Sequence, residues 1–179
     1  MLSKSLIIAL PLLVATNANA HSESFETYGD IGQIAIPLTA LFIAWSKDDT
    51  DGMWQLSKGW AYTQGITHTL KHTIKVQRPN CSDFNSFPSG HTSSAFSGAA
   101  FLHHRYGLKY GLPAYIAATA VGASRVDASK HWETDVLMGA AIAYTVSYFV
   151  TSVYENPDLI IAPAMMGKDA HGVIVSYRF

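Results

Sequence analysis

A single cysteine, Cys81, occurs in the 179 residues, so no intrachain disulfide can form and a bystander thiol in a loop is its expected role. Charge is also scarce. Lys, Arg, Asp and Glu together make up 14% of the chain, against about a quarter in an ordinary soluble domain. That deficit points to a chain that keeps much apolar surface in lipid or in a tightly packed helical core. The formal net charge is -1 and there is no basic run, which removes the electrostatic footprint of nucleic-acid binding. Long hydrophobic runs are few. A bilayer span needs about 20 apolar residues, and of the apolar stretches only the last, Thr134 to Val153, qualifies comfortably. His68 and His72 stand at i and i+4, a spacing that suits zinc, but no Glu or third ligand accompanies them as in the metalloprotease pattern. No metal site is expected.

The N-terminus accounts for part of the apolar excess. Lys4 precedes the run from Leu6 to Val14, and Ala18-Asn19-Ala20 offers a small-residue cleavage site. Residues 1–20 therefore read as a secretory signal peptide, with the mature chain starting at His21. Residues 21–157 form one helical domain with five expected helices: Ile31 to Trp45, Met53 to Val76, His91 to His104, Gly111 to Ala123 and Thr134 to Val153. The third is rich in small residues, Ser94, Ala95, Ser97, Gly98, Ala99 and Ala100, which permit close helix contact. Residues 158–179 are a tail of a different kind. Leu159-Ile160-Ile161 and the alternation Val173, Val175, Tyr177, Phe179 suggest two strands around a Gly167 to Gly172 turn, with packing against the helices as the expected role. The fold class is thus all-α, a bundle of about five helices with a short C-terminal hairpin.

Three separated segments carry the chemistry. In the first, Lys71 and Arg78 are seven positions apart, two helical turns, so on a helix both cations share one face and Pro79 ends the element. The second, Pro88-Ser89-Gly90-His91, runs into a helix start at Thr92. Free backbone N–H groups there, beside a glycine that allows close approach, suit an anion. In the third, Ser124-Arg125 precedes His131, and Asp135 follows it by one turn. Its carboxylate can hold one ring nitrogen of His131 and leave the other unprotonated and nucleophilic. Taken singly, each segment has a plainer reading: a solvated charged face, a turn, a surface pair. Their conjunction, in order and each at an element boundary, argues for one site.

Those residues as they stand, KHTIKVQRP, PSGH and SRVDASKHWETD, resemble the three-part motif of the type 2 phosphatidic acid phosphatase and vanadium haloperoxidase superfamily. All of its usual fixed positions between Lys71 and Gly139 are filled. The resemblance implies His131 as the nucleophile that becomes a phosphohistidine, Asp135 as its orienting partner and His91 as the general acid. It implies that Lys71, Arg78 and Arg125 hold the phosphoryl oxygens, with the Ser89 hydroxyl and the Gly90 N–H completing the cradle. It implies no metal or other cofactor for phosphatase chemistry. The loop Asn80 to Phe87 is short for this family, so an open pocket mouth is expected.

The expected function is hydrolysis of a phosphomonoester or lipid diphosphate. The apolar character favours a lipid such as phosphatidic acid, phosphatidylglycerophosphate, undecaprenyl diphosphate or a lipid A phosphate. A soluble periplasmic non-specific acid phosphatase is the alternative, and a vanadium-dependent haloperoxidase a more distant one. Helices that enter at His91 and leave at Ser124 would put the three motifs on one side and the turn Arg105 to Lys109 on the other. That arrangement fits an inner-membrane location with a periplasm-facing site. Oligomeric state leaves no readable trace.

Overall fold

The computed structural model describes residues 23–155, 159–166 and 170–177, which leaves the expected signal peptide outside the described residues. Five helices follow in order, α1 (Glu23–Ser46), α2 (Thr50–Thr73), α3 (Gly90–Tyr106), α4 (Leu108–Asp127) and α5 (Glu133–Val150). Two strands close the chain, β1 (Leu159–Met166) and β2 (Ala170–Tyr177), paired antiparallel with Leu159 opposite Tyr177 and Met166 opposite Ala170.

Each helix boundary has a local cause. Asp49 caps α2 by accepting the Gly52 N–H at 2.9 Å, and Ser89 caps α3 through its side chain. Gly107, at φ 85°, ends α3 with its N–H on the His103 carbonyl at 2.8 Å, and α4 starts at the next residue. α2 stops at Thr73, three residues short of the Val76 end expected from the sequence. The cause is the β-branched cluster Thr73, Ile74 and Val76, whose crowded side chains favour extended backbone. Ile74 is extended, and Val76 bridges Asn85 in parallel fashion.

α3 is the axis of the bundle and touches all four other helices. Its small residues let the neighbours approach: a Cβ on Gly98 would lie 2.8 Å from Pro37 Cα of α1. Two apolar clusters line it. One joins Ile36, Ala95, Ala99, Ala118 and Val121, the other Ala40, Ile43, Leu56, Phe101 and Leu102.

A buried ion pair closes one end of the bundle. Arg105 donates from Nε to Asp49 Oδ2 at 2.8 Å, and its Nη1 reaches the Ser152 carbonyl at 2.9 Å. This pins the α1–α2 and α3–α4 turns and the exit of α5 together. The α2–α3 and α4–α5 connections, with the three motifs, consequently share the opposite end.

Two expectations are corrected. Among the described residues β1 and β2 pair only with each other and do not pack on the helices; Val173, Ile174 and Val175 stay exposed. Gly172 lies within β2, and any turn falls on residues 167–169, outside the described set. α1, not α5, is the one described helix long and apolar enough to cross a membrane. α5 is 18 residues long and carries Glu133 and Asp135 in its first turn, which shortens its apolar stretch.

Candidate active site

A cavity of about 530 Å³ opens at the motif-bearing end and is lined by residues of α1 to α4 and of the α2–α3 and α4–α5 connections. Lys71, Arg78, Gly90, His91, Arg125 and His131 all face it. Asp135 lies behind His131 and is 1% exposed.

His131 is placed by the end of α4. The chain curls after Asp127, with Ser129 at φ 53°, so that the Lys130 and His131 N–H groups both return to the Arg125 carbonyl at 3.0 and 3.2 Å. Asp135 Oδ2 caps α5 by accepting the Trp132 N–H at 2.9 Å and stands 3.4 Å from His131 Nδ1. On the other side of the ring, Arg78 Nη1 is 3.5 Å from Nε2. A guanidinium only donates and a carboxylate only accepts, so the proton sits on Nδ1 and the Nε2 lone pair faces the cavity. Burial first, then the cations of Lys71 and Arg78, push the His131 imidazole down to about 4. It is therefore neutral, with the Nε2 lone pair available.

Arg78 does not share a helix face with Lys71 as the seven-residue spacing suggests. It arrives on the extended stretch after α2 and is held by both Asp83 carboxylate oxygens at 2.9 Å and by the Lys130 carbonyl at 2.9 Å. The Asp83 carboxyl is held below its ordinary range, first by the Asn85 N–H and then by Arg78. Lys71, in the last turn of α2, donates to the Asn85 carbonyl at 2.7 Å. Among the described residues it carries no ion pair, which leaves N–H capacity free for an anion.

Ser89 is fully buried and does not line the cavity. Its hydroxyl meets Thr92 Oγ1 at 2.9 Å, and its N–H donates to the Asp135 carbonyl at 3.0 Å. It ties the second motif to the third. Gly90 reaches the cavity with its backbone and has open space where a Cβ would stand.

Sequence reasoning missed several groups that line the cavity or back the residues lining it. Asp30 of α1 accepts from Arg125 Nη1 at 2.7 Å and meets His91 Nε2 at 2.9 Å, through the same oxygen. Glu26, one turn earlier, pairs with Lys130 at 3.4 Å. Ser86 donates its hydroxyl to Asp135 Oδ2 in a short hydrogen bond. His68, weighed above for zinc, lines the cavity with Gln33 and Gln64. Glu26, Asp30 and Ser86 are marked by no local pattern; the acidic pair Glu26 and Asp30 looks like an ordinary solvated helix start.

Beside the polar cavity, a second one of about 430 Å³ runs between α1 and α2, lined mainly by Ile34, Pro37, Leu38, Leu41, Leu56 and Trp60. Gln33 borders both.

Comparison with known proteins is consistent with this geometry. The family model described as the PAP2 superfamily matches residues 52–158. The chain is 29% identical to the lipid A 4'-phosphatase of Helicobacter pylori over 190 aligned positions, 98% of this chain and 96% of that protein. It is 37% identical to the lipid A 1-phosphatase of Porphyromonas gingivalis over 106 positions, 55% of this chain and 24% of that one. Among solved structures, LpxE of Aquifex aeolicus superimposes with a TM-score of 0.63 at 22% identity, over 71% of this chain and 82% of that one. A transmembrane PAP2-type phosphatidylglycerolphosphate phosphatase of Bacillus subtilis gives 0.58 at 25% identity, over 72% and 73%.

Proposed function

The chain belongs to the PAP2 superfamily, and we propose that it is a metal-independent phosphatase that removes a phosphoryl group from a membrane lipid through a phosphohistidine at His131. The observation that carries this reading is the His131 ring, with Asp135 on Nδ1 and Arg78 beside an unprotonated Nε2 in a cavity that Lys71 and Arg125 also line.

In the first step the Nε2 lone pair attacks phosphorus, and the bond to the leaving oxygen breaks. His91 gives that oxygen a proton, so the alcohol departs neutral. In the second step water attacks the phosphohistidine, His91 takes its proton, and orthophosphate leaves as His131 Nε2 recovers its lone pair. Lys71, Arg78, Arg125 and the Gly90 N–H offset the charge that spreads over the equatorial oxygens.

The lipid assignment rests on the apolar cavity that adjoins the polar one at Gln33. It rests also on the exposed apolar stripe Ile31, Ile34, Leu38, Phe42 and Trp45 along α1, and on the two lipid A phosphatases among its relatives. A lipid A phosphate is therefore the first substrate to try. The bundle would lie in a cell-envelope membrane with the cavity towards the periplasm.

The test is phosphate release in chelator from lipid A, phosphatidic acid, phosphatidylglycerophosphate and undecaprenyl diphosphate, with the His131→Ala protein alongside. The reading expects release that the substitution abolishes, and an acid-labile phosphoenzyme mapped to His131. Release that persists in His131→Ala refutes it.

A further inference from the structure

α1 contributes nothing to the three motifs, yet it places a carboxylate inside the site. Asp30 Oδ1 accepts from Arg125 Nη1 at 2.7 Å and stands 2.9 Å from His91 Nε2. Arg125 is 2% exposed, and its Nη2 also donates to the Glu26 carbonyl one turn up the same helix. A buried guanidinium with this carboxylate on it fixes the carboxylate in direction. The oxygen that accepts from the Arg125 guanidinium also faces His91 as an acceptor, so the His91 nitrogen turned to it carries a proton. Nδ1 of His91 has no hydrogen-bond partner among the described residues, and the side chain borders the cavity. Two His–Asp pairs therefore face one space with opposite ring nitrogens held: Nδ1 of His131 by Asp135, and Nε2 of His91 by Asp30.

We propose that Asp30 is the positioning residue for His91: its carboxylate, anchored by Arg125, holds the Nε2 proton and steadies the imidazolium whose Nδ1 proton goes to the departing oxygen. This rests on the phosphatase reading above. In the first step the Nδ1–H bond breaks as the phosphorus–oxygen bond breaks, the alcohol leaves, and His91 becomes neutral with Nε2–H still on Asp30. In the second, Nδ1 takes a proton from the attacking water and the imidazolium is restored. Asp30 itself neither gains nor loses a proton. The half-exposed carboxylate is worth little to stability as an ion pair; its effect lies in which tautomer is held and how firmly.

The experiment is a double-mutant cycle on kcat with the full chain in lipid micelles, using the lipid that the parent hydrolyses best. It compares Asp30→Asn, His91→Ala, the pair together, and Asp30→Glu. Asp30→Asn should lower kcat by about a hundredfold, within the range general acid catalysis supplies, and should cost almost nothing further once His91 is Ala. Asp30→Glu should recover part of the loss. Where the parent also accepts aryl phosphates, 4-nitrophenyl phosphate should lose less than tenfold to Asp30→Asn, because its leaving group needs little protonation. Additive losses in the two single variants would make Asp30 merely the anchor of α1 and overturn the inference. So would a faster Asp30→Asn protein more strongly inhibited by inorganic phosphate, since the carboxylate would then be occupying the anion's place. A parent that releases no phosphate from any lipid refutes the function and this inference with it, whereas an active parent with additive variants refutes this inference alone.

Discussion

Asp135 Oδ2 serves three partners at once: the Ser86 hydroxyl, the Trp132 N–H at 2.9 Å and, at 3.4 Å, His131 Nδ1. The histidine contact is the longest of the three. The carboxylate is thus fixed by a loop and a helix cap before it acts on the ring, which preorganises His131 without depending on it. Catalytic hydrogen bonds that are long in the free enzyme tighten when the reacting group arrives.

Asp135→Asn should keep the fold and lower kcat by about a thousandfold, because an amide that turns its NH₂ towards Nδ1 favours the wrong tautomer. Steady-state turnover and the yield of phosphoenzyme should fall together. Unchanged phosphoenzyme with slowed release would move the role of Asp135 to the second step.

The depressed His131 pKa sets the sign of a pH effect. Above about 4 the imidazole is neutral with its Nε2 lone pair free; as pH falls through about 4 it takes a proton and the lone pair is lost. The acid limb of kcat/KM should therefore lie far below the ordinary histidine range. Removing a neighbouring cation relieves the depression, so Lys71→Met should move that limb to higher pH while also raising KM. A limb that stays put or moves lower would mean that Lys71 does not act on the ring.

Gly139 of α5 passes close to the start of α3. A Cβ there would stand 2.7 Å from the Ser89 carbonyl oxygen and 3.2 Å from the Ser93 nitrogen, both backbone atoms. Gly139→Ala should force α5 off α3 at a cost of about 1–3 kcal/mol. Because Asp135 rides on α5 and His91 on α3, kcat should drop by about ten- to a hundredfold. Thermal denaturation and turnover, measured on one preparation, check both; a stable and fully active protein would show that the crossing has slack.

The Asp49–Arg105 pair tests the opposite end of the bundle. Both side chains are under 10% exposed, so Arg105→Met should leave a buried carboxylate short of its main partner, at a cost of about 3 kcal/mol. Tyr106 and the Gly52 N–H still serve Asp49, which keeps the loss near the low end. KM should not move, since the pair lies away from the cavity. A changed KM would couple the two ends of the fold.

The five helices were legible because apolar runs separated by turn residues announce themselves locally; the start of α3 beside its Ser89 cap falls one residue before the expected His91, whereas at Gly107 α3 runs two residues past His104 and α4 begins three residues before Gly111. The error at the end of α2 has the same origin turned round: spacing placed Lys71 and Arg78 on one face, but Thr73, Ile74 and Val76 had already ended the helix. The hairpin was legible as strands by its alternation, whereas its packing was not, because alternation alone does not say what covers a face.

By itself the sequence determined which groups gather at the cavity and their order, since Lys71, Arg78, His91, Arg125, His131 and Asp135 stand in three short motifs. Only the tertiary structure decided how those groups are held. Asp30 comes to Arg125 across 95 residues, Ser86 to Asp135 across 49, and Ser89 turns inward to join two motifs. Contacts of that kind follow from how the helices pack around α3, a non-local outcome of volume and burial that no window of sequence contains.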